Sequence, residues 1–151
     1  MSGEEFFTFR EYMRKEGDTL SASAEDYMEM IFRLSRENGF TRVNDLAEAL
    51  NVQPPSVTKM IQKLAELDLL KYERYGVIML KDRGAKIGRG LLDRHNVVEE
   101  FLRLLDIQEG LLENTEKIEH TINGDILNGM IRLVGFFKGN PSIHKKFIEY
   151  K

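Results

Sequence analysis

The 151-residue chain has no cysteine, which removes disulfides, thiolate metal sites and thiol nucleophiles together and leaves oxygen and nitrogen as the donors for any metal ion. Proline is scarce, occurring only at 54, 55 and 141, so little interrupts helical periodicity. Long apolar runs are missing as well: none approaches the roughly 18 to 20 residues that span a bilayer as a helix. The opening stretch MSGEEFFTFR is acidic where a secretory signal would be basic and then apolar. These absences predict a cytoplasmic protein with no membrane partner. There is also no glycine-rich phosphate loop and no nucleophile–base pair, so catalysis, and a small organic substrate, are not expected. The formal net charge of -3 does not announce a nucleic-acid partner, but an average hides local fields.

What is present is helical pattern. After KEGDTLSAS, the segment from Ala24 to Asn38 carries Tyr27, Met28, Ile31, Phe32 and Leu34 at helical spacing and stops at Asn38-Gly39. Val43 to Leu50 reads as a short amphipathic helix, broken by Asn51-Val52-Gln53. A second helix starts at Pro54-Pro55-Ser56, where proline is tolerated because the first-turn donors have no intrahelical partner, and runs to about Asp68. The runs 70–74 and 77–81, separated by Tyr75-Gly76, read as a hairpin. Helix, turn, helix, hairpin is the element order of a winged helix-turn-helix. Beyond Asp82, a candidate cap, apolar residues recur from Ala85 to Leu105, giving one long helix to about Asp106, and further helices are expected at about 109–122, at about 124–138 and near the end. The expected fold class is mainly α: a winged helix-turn-helix over 21–82 with a small β-hairpin wing, then a helical domain over 83–151, preceded by an extension over 1–20.

The second helix has a distinctive charge pattern. No acidic residue lies between Asn51 and Ala65, while Gln53, Pro54, Ser56, Thr58, Lys59, Gln62 and Lys63 occupy the helix and its leading turn. A helix that enters the major groove must keep carboxylates off its leading face, because phosphates dominate the affinity of proteins for DNA. Its first turn is the part that reaches base edges in this docking geometry. Arg74 and Tyr75 at the wing tip are candidate contacts to the DNA backbone. Double-stranded DNA is therefore the expected partner.

Three segments supply metal donors at helical spacing: Asp26 and Glu29 in AEDYMEMIF, His95 in DRHNVVEEF, and Glu116, Glu119 and His120 in EKIEH. Each has an innocuous reading. Acids favour a helix N-terminus through the dipole, His95 sits amid charged residues, and EKIEH by spacing alone suits a charged, solvated helix face. Taken together, four carboxylates and two imidazoles form the donor set of a hard or borderline divalent cation. Spacing does not bring three distant segments together.

The phrases EDYMEMIF, RVNDLAEALNVQPPSVTKMIQKL, LLKYERYGVIMLKDRGAKIG, RHNVVEEFLRLL and EKIEH, in that order over about two-thirds of the chain, resemble the diphtheria toxin repressor family of metal-dependent regulators, and its manganese-sensing branch in particular. That resemblance implies Asp26, Glu29, His95, Glu116, Glu119 and His120 as metal ligands, two manganese ions per subunit, a homodimer built through the helices after the wing, and no SH3-like domain. Iron-sensing relatives place methionine and cysteine where this chain has Asp26 and Glu119, and exchanging sulfur for carboxylate favours the harder manganous ion. The same set is expected to accept Fe2+, Co2+, Zn2+ or Cd2+ in vitro. The segment with FFTFREYMRK has no counterpart in the short form of the family; it reads as an amphipathic helix or an arm.

The implied function is a metal-operated repressor of metal-uptake genes acting at a palindromic operator. Beside it stand an iron- or other divalent-metal-responsive regulator of the same family and two rivals of other kinds. A di-iron carboxylate enzyme would need paired Glu-x-x-His motifs, and no histidine here has a glutamate three residues earlier. A winged-helix regulator of an organic ligand would leave the acids as surface, and metal analysis separates the two.

Overall fold

In the computed structural model of the chain, residue 12 and residues 20–151 are described. The expected helix or arm of the N-terminal extension falls outside them, apart from Tyr12 and Leu20. The chain divides into two compact units, one ending at Leu91 and the other covering Leu92–Lys151.

Within the described residues 20–151, the first unit has α1 (Ala22–Leu34), started by Ser21, whose hydroxyl accepts from the Ala24 amide at 3.1 Å. Tyr27, Met28 and Ile31, three and four apart, are its buried stripe. The periodicity predicts a helix to Asn38, but residues 35–38 form a turn, because Ser35, Arg36, Glu37 and Asn38 offer no apolar side chain to the core. A two-residue strand, β1 (Thr41–Arg42), leads into α2 (Val43–Leu50). Asn51 then adopts φ 54, the left-handed conformation that asparagine tolerates better than most residues, and closes the helix-turn-helix corner. Next comes α3 (Pro54–Glu66), with proline in its first turn and Val57, Ile61 and Leu64 buried.

The wing consists of β2 (Leu70–Tyr72), a 3-10 turn at Arg74–Gly76 and β3 (Val77–Leu80). The sequence pattern shows a hairpin; the sheet has three strands in the order β1-β3-β2, all antiparallel, with Thr41 opposite Ile78 and Leu70 opposite Leu80. Two residues are too few for β1 to show an alternation. The wing is tied down by Lys81, which donates to Asp68 and holds that carboxyl below its usual range through the hydrogen bond first and its charge second.

The long helix α4 (Asp82–Leu104) begins in this unit, with Asp82 as its first residue rather than its cap. Two glycines set its approach. A Cβ on Gly84 would lie 2.0 Å from the Leu69 carbonyl oxygen, and one on Gly88 would lie 2.8 Å from Phe32 Cβ.

The second unit takes the rest of α4, then α5 (Leu111–Glu119), α6 (Gly124–Gly139) and α7 (Pro141–Glu149). Gly110, at φ 65, turns the chain into α5, and the Asn123 side chain caps α6 by accepting from the Ile126 amide at 2.9 Å. The His144 ring lies 5.0 Å from that of Phe137, and its Nε2 donates to the Leu104 carbonyl at 2.9 Å, so α7 closes the C-terminal end of α4. Among the described residues no helix is long and apolar enough to cross a membrane.

Candidate metal centre and nucleic-acid interface

On the winged unit, Asp26 and Glu29 stand three apart on α1, the first exposed and the second partly buried. The Arg33 guanidinium holds Glu29 Oε2 at 2.8 Å across one helical turn. Beside Asp26, the buried Glu25 accepts a hydrogen bond from the Tyr12 hydroxyl at 2.5 Å. Burial of the neighbouring Tyr27 raises its phenol above the ordinary range.

The second unit assembles donors from two helices. His95 of α4 and Glu119 of α5 are 6% and 2% exposed, far more buried than surface residues of their types. His95 Nδ1 lies 2.7 Å from Glu119 Oε2, and His95 Nε2 lies 3.2 Å from Glu99 Oε2, one turn further along α4. Glu119 Oε1 in turn is 3.5 Å from His120 Nε2, and His120 Nδ1 is 3.3 Å from an Arg94 guanidinium nitrogen. Glu99 is gripped on its other oxygen by Arg103 at 2.6 Å. An imidazole with carboxylate oxygens at both nitrogens bonds both only by donating from both. A cation at either nitrogen replaces a proton there and keeps the carboxylate satisfied. Two imidazoles, the buried Glu119 and the partly buried Glu99, with no sulfur, suit a borderline or hard divalent ion, so the donors present fit such an ion.

Of the ligands expected from the sequence, this unit brings together His95, Glu119 and His120. Glu116 is exposed, one turn before His120 on α5. Glu99 and Arg94 belong to the same network and were not among the expected residues. The signal for Glu99 was its spacing of four from His95; Arg94 carried none beyond adjacency.

The face expected from the sequence to meet nucleic acid is α3 and the wing. Gln53, Pro54, Ser56, Lys59, Gln62 and Lys63 are exposed and Thr58 is half-buried. Thr58 is the exception in availability, since its hydroxyl donates to the Pro54 carbonyl at 3.2 Å. Arg74 is exposed, and Tyr75 is 90% exposed with φ 63, held at the wing tip by Arg42, which donates to its carbonyl at 3.4 Å.

A winged helix-turn-helix whose second helix carries no acid before Glu66, followed in the same chain by a helical unit that gathers imidazoles and carboxylates, defines the class of metal-dependent DNA-binding regulators. Residues 19–78 match the iron dependent repressor N-terminal DNA binding domain, and residues 81–148 match the iron dependent repressor metal binding and dimerisation domain. The chain belongs to this family, that of the diphtheria toxin repressor, whose members are transcriptional regulators and not enzymes. It is 44% identical over 121 residues to the HTH-type transcriptional regulator MntR of Shouchella clausii, covering 80% of this chain and 85% of that protein. The regulator of the same name from Bacillus subtilis is 44% identical over 124 residues, 82% of this chain and 87% of its own length. Among solved structures, ScaR with bound Zn2+ superposes with a TM-score of 0.63 at 28% identity. That match covers 75% of this chain but 54% of ScaR, so the chain spans about half the length of that structure. DNA and a second copy of the chain are thus its partners, and a divalent metal its cofactor.

Proposed function

We propose that this protein is a manganese-responsive repressor that binds a palindromic operator in the cytoplasm and silences metal-uptake genes when metal is bound. The observation that carries the proposal is the cluster of the buried His95 and Glu119 with the partly buried His120, built without sulfur in a domain that binds metal. Asp26 and Glu29 of α1 and Glu116 of α5 complete the proposed ligand set, which has donors enough for two ions in each subunit. Carboxylate in place of sulfur favours Mn2+, while Fe2+, Co2+, Zn2+ and Cd2+ compete for the same donors in vitro, in keeping with the intrinsic order of affinities.

The bound ion supplies positive charge to a set of acids that otherwise repel one another. Glu119 and His95 hold their positions by burial and by bonding each other, so they present a preformed half of the site. Asp26 and Glu29 belong to the winged unit, so ligation by them makes the placement of that unit in the dimer depend on metal. Two copies of α3 are then spaced for half-sites about one helical turn, or a multiple, apart. Gln53, Pro54, Ser56, Lys59, Gln62 and Lys63 meet the major groove, Thr58 supports the first turn, and Arg74 and Tyr75 reach the backbone.

The test is DNA binding across a series of divalent ions, with metal stoichiometry measured in parallel. Mn2+ is expected to raise operator affinity over the chelated protein and to bind at two equivalents per subunit. Identical affinity with Mn2+ and with chelator would rule the switch out.

A further inference from the structure

We propose that Arg94 is a stand-in cation: it holds His120 in the metal-free protein, gives up that bond when a divalent ion is taken up, and so sets the metal concentration at which the regulator responds. The inference rests on the reading of His95, Glu119 and His120 as metal ligands.

Arg94 is a buried arginine, 4% exposed, on α4 immediately before His95, and its terminal nitrogen lies 3.3 Å from His120 Nδ1. A guanidinium has five donors, no acceptor and a permanent charge. The ring nitrogen that faces it is therefore the accepting one, and the lone pair a metal ion would use at Nδ1 points at Arg94. In a neutral ring of that tautomer the proton is on Nε2, which lies 3.5 Å from Glu119 Oε1. Each nitrogen is thus committed, one to a cation and the other to a proton aimed at a carboxylate.

Metal uptake disturbs this arrangement by either route. Coordination through Nδ1 requires the guanidinium to leave. Coordination through Nε2 moves the remaining N–H to Nδ1, where a metal-bound histidine ordinarily donates to an acceptor; Arg94 offers only donors. Electrostatics acts in the same direction. A fixed charge beside the His120 ring stands where a divalent ion would be drawn and opposes its entry, and does so in a buried environment where charges interact strongly. Arg94 thereby stabilises the metal-free protein and raises the threshold for metal.

Three measurements on the full chain decide the matter: Mn2+ titration by calorimetry of the wild type and Arg94→Gln, thermal unfolding of both with Mn2+ and with chelator, and the ring 15N signals of His120 in the chelated wild type. Arg94→Gln is expected to bind Mn2+ more tightly, on the order of tenfold, the scale of one hydrogen bond to a charged group. It is expected to melt below the wild type in chelator and close to it with Mn2+, whereas a merely structural arginine would lower both. His120 Nδ1 is expected to be the unprotonated nitrogen in the chelated wild type. An affinity equal to or weaker than wild type overturns the proposal and leaves the ligand assignment standing; a wild type that takes up no Mn2+ overturns both. Should Arg94→Gln fail to fold, the nitrogen signals still decide, because a protonated Nδ1 in the chelated wild type overturns the proposal.

Discussion

Tyr75 sits at the wing tip with φ 63 and 90% of its surface exposed, a conformation that costs a residue with a Cβ on the order of 1 kcal/mol. An exposed ring gains nothing from the fold that would offset such strain, and strained backbone concentrates where function requires it. Tyr75→Gly is therefore expected to leave the melting temperature unchanged or slightly higher while operator affinity falls severalfold, measured by unfolding and by fluorescence anisotropy on one preparation. Loss of stability with unchanged DNA binding would show that the ring serves the wing instead. Residues of this kind were partly legible in the sequence. Tyr75 was named from its place between two strands, but its left-handed backbone was not, since tyrosine rarely adopts that conformation. His95, Glu119 and His120 were named as ligands, yet spacing alone made each as suitable for a solvated face as for a buried site. The burial of His95 and Glu119 depends on which helix lies opposite, and a helix's own spacing does not carry that.

Elements were more legible than the contacts between them. Helices α2, α3 and α4 follow directly from apolar spacing and from the prolines at 54 and 55. β1 did not, because its two residues become a strand only by pairing with β3. Glycines 84 and 88 also gain meaning only from the fold. In an isolated helix either would be improved by alanine, by about 1 kcal/mol. Here an alanine Cβ at 84 meets a backbone carbonyl at 2.0 Å, whereas at 88 it meets Phe32 Cβ, at 2.8 Å, and the Met28 carbonyl, at 3.0 Å. Gly84→Ala is expected to destabilise the winged unit more than Gly88→Ala, and Gly88→Ala by about 1 to 3 kcal/mol, the usual range for overpacking. Denaturant unfolding of both variants checks the order. A stabilised Gly84→Ala would mean that α4 does not pack on the start of β2 as described.

For the whole molecule, binding at one place must be reflected at the other. If metal raises operator affinity by some factor, the operator raises metal affinity by the same factor, because the two share one thermodynamic cycle. Metal that binds only the folded chain also stabilises it, by about 2.7 kcal/mol at a hundredfold excess over its Kd, or on the order of 5–10 °C in melting temperature for a chain of this size. Glu29→Ala separates the two halves of the proposed ligand set. It removes a donor from the winged unit and leaves His95, Glu119 and His120 untouched, so the second unit should still take up metal, with weaker affinity. The expected outcome is a variant that melts like the wild type in chelator, keeps part of the Mn2+-induced rise, and has lost most of the Mn2+-dependent gain in operator affinity. A variant that retains the full gain would mean that α1 contributes no ligand and that metal acts through the helical unit alone. One that loses the thermal rise entirely would mean that His95, Glu119 and His120 hold no metal without Glu29.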